Sequence, residues 1–563
     1  MEYVVSTRDF KNATQFGGMY FDGLFSIENE RLSILEGDII NYNKDELINL
    51  ATIDFDALNI IGSYNFVSYN KESQDVFIKN DKFGTYALFI YKKDNTVVIS
   101  NNVWKIIKIL KDDEIIISKK YFKFYIGSWG VDLNGGTLFE NITELNPGYV
   151  ININLKSKEL NTKEYFSLEH NKTTTMSITD CVNQFDNDLD LTFSRIKKIQ
   201  GDKKVGFGNS GGLDSRLVPI YASQNNLNYS GLTILNKRPN KIFESITYRN
   251  SKKISAIYNF HNTYINYKFD NTNDRMLLDI RNNPFGTAEV LKNPYDKILD
   301  IDCYITGGNG FIVGGNWSKI LSIKDEKKFI NHFVNYNAKI PAFNWTPKGS
   351  SILNELLTNE EIKAINDYKI EFYENNKHKD FFSIIRTFHQ FSLNKCSPAG
   401  GFESINRCYK TYNIYYPIVF ENTLKWNPEF FPSRIILKEL IKKKSQRLYE
   451  IPEQNYSRLD DKKLTIAEKI ERRLVLKYRN WGLNYEDWVN QQSFKTYSNE
   501  VLNRENKQFY DLLGMKKEKF IALKIMENIH PSVALEILKL KKILDIITYK
   551  EYDFVDDKGF EIK

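Results

Sequence analysis

The sequence predicts an α/β protein in three parts. These are an antiparallel β-sandwich over residues 1–170, a parallel-sheet α/β unit over 177–455 and a helical extension over 456–563. Three observations predict it. Short β-rich segments separated by turn residues fill the first part, strands alternate with helical stretches in the second, and Lys/Glu/Leu/Ile helical spacing dominates the third.

Residues 60–69 alternate and are rich in β-formers, as are 75–78 and 86–91, and 96–100 follow a Lys-Lys-Asp-Asn turn at 92–95. Asn146-Pro147-Gly148 is a strong turn leading into a strand over 149–153. Successive hairpins of this kind build antiparallel sheets. The polar stretch 170–175 reads as a linker. Ile178, Cys181, Val182, Phe185, Leu189, Leu191, Phe193 and Ile196 then recur at helical spacing, predicting a helix over 177–199. A strand over 204–207 runs into a Gly/Ser loop and a helix from Leu213. Next come a strand over 229–235, a helix over 241–259 and strands over 263–267 and 303–306, the signature of βαβ units. From 325 onward helices prevail, among them 466–478 and 516–528.

Composition excludes several classes. Apolar residues are 42% and aromatics 14%, enough for large cores and too many for wholesale disorder. The net charge of +7 is spread thinly over 563 residues. The densest basic run, Lys438 to Lys444, reads as a solvated helix face, so nucleic acid is not an expected partner. Four cysteines (Cys181, Cys303, Cys396, Cys408) form no CxxC pair and six histidines no HExxH, which removes zinc ribbons, thioredoxin-like redox chemistry and that class of metalloprotease. The first residues lack a signal-peptide pattern, and no run reaches the 18 or so apolar residues a membrane span needs. The expectation is a reduced, cytoplasmic chain without a membrane partner.

The sharpest signal is Val205-Gly206-Phe207-Gly208-Asn209-Ser210-Gly211-Gly212-Leu213-Asp214-Ser215-Arg216. A strand delivers Ser210-Gly211-Gly212 at a sheet edge and a helix begins just beyond. Glycines let backbone N–H groups converge on an anion, the helix N-terminus adds partial positive charge, and Ser210 and Ser215 add hydroxyl donors. Asp214 belongs in a phosphate pocket where a divalent cation sits between, and Arg216 offers a cationic contact. A Gly-rich turn capped by Asp214 or Ser215 accounts for the same letters and stays open. The loop is neither a Walker A loop nor a dinucleotide-type GxGxxG.

Ser-Gly-Gly-Leu-Asp-Ser between strand and helix resembles the pyrophosphate loop of the ATP pyrophosphatase superfamily. Gly62 to Phe66, Asp81 to Phe89, Thr137 to Ile142, Leu145 and Pro147-Gly148 resemble the glutaminase-type domain of asparagine synthetases, and Tyr416 to Glu421 resembles their Pro-Phe-Leu-Asp segment. The resemblance runs from about residue 15 to about 455 and implies an Ntn-hydrolase-like αββα domain followed by an ATP pyrophosphatase domain. It further implies an ATP- and Mg2+-using ligase that adenylates a small-molecule or peptide carboxylate and passes it to ammonia or an amine. The implied site is Ser210, Gly211, Gly212, Leu213, Asp214, Ser215, Thr233, Leu235, Gly307 and Gly308 for ATP, with Asp214 on the metal and Asp214 and Arg216 catalytic. A homodimer is also among the expectations.

The sequence departs from that family at three places. Position 2 is Glu and the first cysteine is Cys181, so glutamine hydrolysis by an N-terminal cysteine is not expected. In this the chain is similar to β-lactam synthetases and lasso-peptide cyclases, and the nitrogen has to come from free ammonia, a separate supplying protein or a substrate amine. Residues 306–315, Thr-Gly-Gly-Asn-Gly-Phe-Ile-Val-Gly-Gly, stand where the family carries acids, leaving Asn309 as the weak oxygen donor. Tyr449 to Asn455 lacks the family's lysine; Lys438, Lys442 and Lys443 lie near in sequence, and Arg216 or Arg434 is the candidate for the charge that meets departing pyrophosphate. Glu244, His261, Glu403 and Arg407 stand as secondary candidates, each with a structural reading beside the functional one. A catalytically weakened nucleotide-binding or scaffold protein is the alternative function. tRNA modification is disfavoured by the sandwich and the missing cysteine pair.

Overall fold

The computed structural model describes residues 3–23, 25–28, 30–39, 60–128, 135–170, 176–235, 246–266, 276–277, 279–281, 284–285, 300–307, 313–314, 318–335, 349–396, 410–416, 418–453, 492–529 and 531–556. Twelve strands are described in the first part: β1 (Val4–Ser6), β2 (Thr14–Phe16), β3 (Met19–Asp22), β4 (Ser26–Glu28), β5 (Arg31–Ile39), β6 (Gly62–Asn70), β7 (Asp75–Asn80), β8 (Phe89–Lys93), β9 (Thr96–Ser100), β10 (Ile142–Glu144), β11 (Tyr149–Asn154) and β12 (Leu160–Glu164). They form two antiparallel six-stranded sheets, ordered β10-β8-β9-β1-β3-β2 and β12-β11-β7-β6-β5-β4. The period of two sorts the side chains. On β6, Val67 and Tyr69 join the core between the sheets, whereas Tyr64 and Phe66 pack in a separate cluster with Ile39 and Ile60.

Phe89, Tyr91 and Val98 belong to another core with helices α1 (Val103–Ile109) and α2 (Lys119–Gly127), neither of which the strand-rich reading anticipated. Residues 86–88, expected as strand, form a loop instead, organised by Asp81. Its buried carboxylate accepts from the amides of Tyr64 (3.1 Å), Phe83 (2.8 Å) and Thr85 (3.0 Å) and from the Thr85 hydroxyl (3.2 Å). That turn delivers Phe83 into the core of the second unit, with ring centroids 4.7 Å from Phe420 and 5.1 Å from Tyr416, while Lys82 pairs with Glu421 at 2.9 Å.

Burial pushes the Asp81 carboxyl up to about 6, against the counter-pull of its four donors. A carboxyl raised on folding binds its proton more tightly in the native state, so folding stability falls as pH rises from about 4 to about 6 and the penalty is complete above that. Wild type should therefore gain about 2–3 kcal/mol relative to Asp81→Asn between pH 7.5 and pH 4.5 in urea unfolding. An equal difference at the two pH values would remove this assignment.

The second unit is built on a five-stranded parallel sheet. Helix α3 (Ile178–Gln200) leads into it, starting at a capping box between Ser177 and Asp180. Its predicted stripe is buried except at two positions: Ile178 sits in the first turn and Leu191 is 51% exposed, lying off the face of Leu189 and Phe193. Strands β13 (Lys204–Gly208), β14 (Asn228–Leu235), β15 (Asn262–Asn266), β16 (Cys303–Thr306) and β17 (Lys410–Asn413) order as β15-β14-β13-β16-β17. Helix α4 (Leu213–Gln224) connects β13 to β14, helix α5 (Ile246–Tyr258) lies between β14 and β15, and the chain then returns to add β16 and β17 on the other side of β13. β17 was not expected, because four residues of mixed character carry little periodicity.

Helix α6 (Gly349–Leu356) and the described C-terminal helices over 492–549 share the core of α1 and α2, so the described C-terminal helices pack against the first unit rather than extending the parallel sheet. Helices α7 (Ile418–Thr423) and α8 (Ile435–Lys444) pack on α3, and α9 (Gln492–Asn503), α10 (Lys507–Leu513) and α11 (Pro531–Tyr549) are the longer helices described in the C-terminal part. The expected helix over 516–528 is divided into Lys517–Ala522 and Ile525–Asn528, with Lys524 in the left-handed region between them. The expected helix over 466–478 lies outside the described residues. No described helix is long and apolar enough to cross a membrane.

Candidate functional site

In an open parallel sheet, a crevice forms at the carboxyl ends of the strands where the strand order reverses. Here that point lies between β13 and β16. The loop after β13 carries the Ser-Gly-Gly segment, and the residue after β16 is Gly307.

The loop's shape has local causes. Gly211 has φ +75° and a Cβ there would lie 2.6 Å from Asn250, so glycine is required on both conformational and steric grounds. Gly212 is the N-cap of α4 and brings no side chain to the first-turn amides. Ser215 is buried and donates to the Gly212 carbonyl at 2.9 Å, while Ser210 is exposed and lies 3.3 Å from the Ser215 hydroxyl. Leu213 is buried in the core, anchoring the first turn. Asn209 and Thr233 fix the loop to the sheet: Asn209 donates to Asn262 (3.0 Å) and to the Ser251 carbonyl (3.1 Å), Thr233 donates to the Asn209 carbonyl (2.8 Å), and Asn262 donates to Thr233 (2.9 Å). The closed ring takes up the Thr233 hydroxyl, so that side chain acts on loop position. Leu235 ends β14 opposite Asn266.

Asp214 stands in the first turn of α4, and two residues remote in sequence converge on it. Tyr415, just past β17, donates its hydroxyl to Oδ1 at 2.6 Å. Arg434 places Nη1 3.5 Å from Oδ2. Burial, followed by the charge of Asp214, holds the Tyr415 hydroxyl well above its ordinary pKa, so it remains a proton donor. Gly307 packs directly on Asp214: a Cβ there would lie 3.2–3.5 Å from the Asp214 backbone and Cβ. Gly314 does the same for Arg434, with its would-be Cβ 2.6 Å from Cγ.

Arg216 is in a different place from the one its expected catalytic role requires. Its side chain is fully buried. Nη1 donates to the carbonyls of Leu448 (3.0 Å) and Ile451 (2.7 Å), and Nη2 to those of Pro452 (2.8 Å) and Gly211 (3.2 Å). Desolvation lowers it to about 10, still well above neutral pH. It is a clamp holding 448–452 against the loop, with Asn250 adding a bond to the Pro452 carbonyl at 2.9 Å. The arginine that meets Asp214 is Arg434.

Neither a family model nor a curated protein matches this chain. Among solved structures, similarity is found to a glutamine PRPP amidotransferase from B. subtilis complexed with ADP and GMP (9% identity, 40% of this chain, 58% of that chain, TM-score 0.19). It is found also to a structure of the allosteric regulatory enzyme of purine biosynthesis (11% identity, 43% and 62%, TM-score 0.18). A third is the U34-tRNA thiolase NcsA from Methanococcus maripaludis with its 4Fe-4S cluster (13% identity, 40% and 88%, TM-score 0.19). The chain spans less than two thirds of the length of the first two. At these TM-scores nothing about the chemistry of this chain follows from the likeness.

A magnesium ion fixed by the protein needs several oxygen ligands. Among the described residues no group of three or more His, Cys, Asp or Glu side chains converges. Asp214 is the carboxylate of the loop, and its two oxygens already face Tyr415 and Arg434. Residues 308–312 are Gly-Asn-Gly-Phe-Ile and bring no carboxylate. Among the described residues this donor set falls short of what a protein-held magnesium needs, and the expectation that Asp214 is a metal ligand finds no second acid beside it there.

Gly308, Glu244, Glu403 and Arg407 lie outside the described residues. His261 is exposed, next to the Thr263 hydroxyl at 3.3 Å, and takes no part in the site. Lys438 lies 3.7 Å from Glu453 beside the clamped segment, while Lys443 pairs with Asp186 and Lys442 with Glu439 away from the loop. Sequence reasoning missed Tyr415, Asn250, Asn262 and Gly314. Tyr415 adjoins the quoted Tyr416-Pro417 segment, which was the signal available.

Proposed function

We propose that this chain is an ATP-dependent carbon–nitrogen ligase resembling asparagine synthetases, with no glutaminase activity of its own. A substrate carboxylate attacks the α-phosphorus of ATP, the bond to the β-phosphate oxygen breaks and pyrophosphate leaves. Ammonia or an amine then attacks the acyl carbon, AMP departs and the amine proton passes to solvent. The observation that carries this reading is the placement of Ser210-Gly211-Gly212-Leu213-Asp214-Ser215 at the switch point between β13 and β16, with Gly307 close against Asp214.

The chain's own residues have defined parts in this reading. Amides at the start of α4, with Ser210 beside them, receive the polyphosphate. Gly211 and Gly307 allow close approach. The Asn209–Thr233–Asn262 ring keeps the loop in register with the sheet, and the Arg216 clamp closes segment 448–452 over it. Magnesium, where present, arrives with the nucleotide and supplies charge neutralisation. The Ntn-hydrolase-like sandwich contributes through Phe83 and Lys82, which seat on α7, three residues beyond Tyr415. A separate ammonia- or amine-supplying protein fits the absence of cysteine before Cys181.

The test is ATP–pyrophosphate isotope exchange over a panel of carboxylates. Carboxylate-dependent exchange, with no glutamate released from glutamine, is the expected result. Tight ATP binding without exchange for any carboxylate would favour the binding or scaffold reading instead.

A further inference from the structure

We infer that Arg434 supplies the positive charge at the phosphate loop that a cluster of carboxylates and its magnesium would otherwise supply, so that polyphosphate is held by a guanidinium and not by a metal fixed in the protein. This rests on the reading of the loop as a polyphosphate site.

A triphosphate or pyrophosphate brings several negative charges to a site that already contains Asp214, so a cation has to stand there. Among the described residues the candidates reduce to one by position. Arg216 is buried and its guanidinium is taken up by four carbonyls. Lys438 is matched by Glu453 at 3.7 Å. Arg434 is 31% exposed at the side chain and makes one long contact, 3.5 Å to Asp214 Oδ2, at the outer limit of hydrogen bonding. That contact orients the guanidinium and leaves its fork for a bidentate phosphate, a geometry arginine suits and lysine does not.

The backbone is arranged to put it there. Arg434 has φ 54° and ψ 32°, the left-handed region that non-glycine residues seldom occupy, at the N-cap of α8. It makes no capping bond with its side chain. Gly314 makes room: a Cβ there would lie 2.6 Å from Arg434 Cγ and 3.2 Å from its Cα. Conformations of this kind persist where the surroundings fix them and cluster at ligand sites. Tyr415 completes the arrangement by holding the other Asp214 oxygen at 2.6 Å, which fixes the carboxylate that aims Arg434. The stretch that follows Gly307 brings no acid to the loop, since 308–312 are Gly-Asn-Gly-Phe-Ile.

Calorimetric titration of the full chain with ATP and with inorganic pyrophosphate, each with Mg2+ and with a chelator, tests this. Asn accepts the left-handed backbone, so Arg434→Asn removes the charge without straining the cap, and Arg434→Lys keeps the charge but loses the fork. Wild type should bind with Kd changed by less than about threefold on chelation. Arg434→Asn should weaken binding about tenfold or more in both media, and Arg434→Lys by less. Loss of binding on chelation overturns the inference whatever the variants do, and so does Arg434→Asn binding like wild type while melting like it. Either leaves the polyphosphate reading standing. Wild type that binds neither ligand in either medium removes both.

Discussion

Asp214→Asn should reduce carboxylate-dependent ATP–pyrophosphate exchange by about 10²–10³-fold, the size of effect seen when one fixed electrostatic group is removed from a reacting centre. The fold should survive. The Asn side chain still offers an oxygen to the Tyr415 hydroxyl, now 2.6 Å from Oδ1, and the position is partly exposed. The loss falls on orientation, because Arg434 no longer faces a charged partner at 3.5 Å and its guanidinium is free to turn from the phosphate. ATP affinity should change little, since the negative charge that has left the site offsets the looser aim of Arg434. Exchange kinetics with a parallel nucleotide titration check this split. Full exchange by the variant would show that the reacting centre lies elsewhere.

Arg216→Met should lower unfolding free energy by about 3–5 kcal/mol, the largest stability effect expected at the loop. Four carbonyls, of Gly211, Leu448, Ile451 and Pro452, lose the Arg216 donor at once, Leu448 keeping the Ile451 amide and Pro452 keeping Asn250. Arg216→Lys should recover part of that, since an ammonium reaches fewer of the four. Urea unfolding decides the matter. A variant as stable as wild type but inactive would return Arg216 to a catalytic role and remove the clamp.

Much of the layout was legible along the chain. The hairpin strands of the first unit, the helix over 178–200 and the strand–loop–helix at 204–224 follow from period-two or helical spacing and from glycines where the backbone turns, and neighbouring residues settle such features between themselves. The mixed α/β class, with antiparallel sheets, a parallel sheet and a helical C-terminal region, follows from the order of those elements. Reading failed where the cause is distant. Residues 86–88 look like strand, yet Asp81 gathers donors from β6 and from Thr85 and bends them away from the sheet. β17 is too short to declare itself and is recognised as a strand by its partner β16.

By itself the sequence determined most of the elements, their order and the Gly-rich loop, because local propensity and spacing are properties of adjacent residues. Tertiary structure alone decided which arginine meets Asp214, for Tyr415 and Arg434 lie 201 and 220 residues from it and Arg216 finds three of its four carbonyls 232 to 236 residues away. Two arginines of identical chemistry differ in role because one is enclosed among carbonyls and the other is held by a left-handed backbone at an open crevice. Burial and direction come from the packed sheet and helices, and no pattern of neighbours in the chain specifies them.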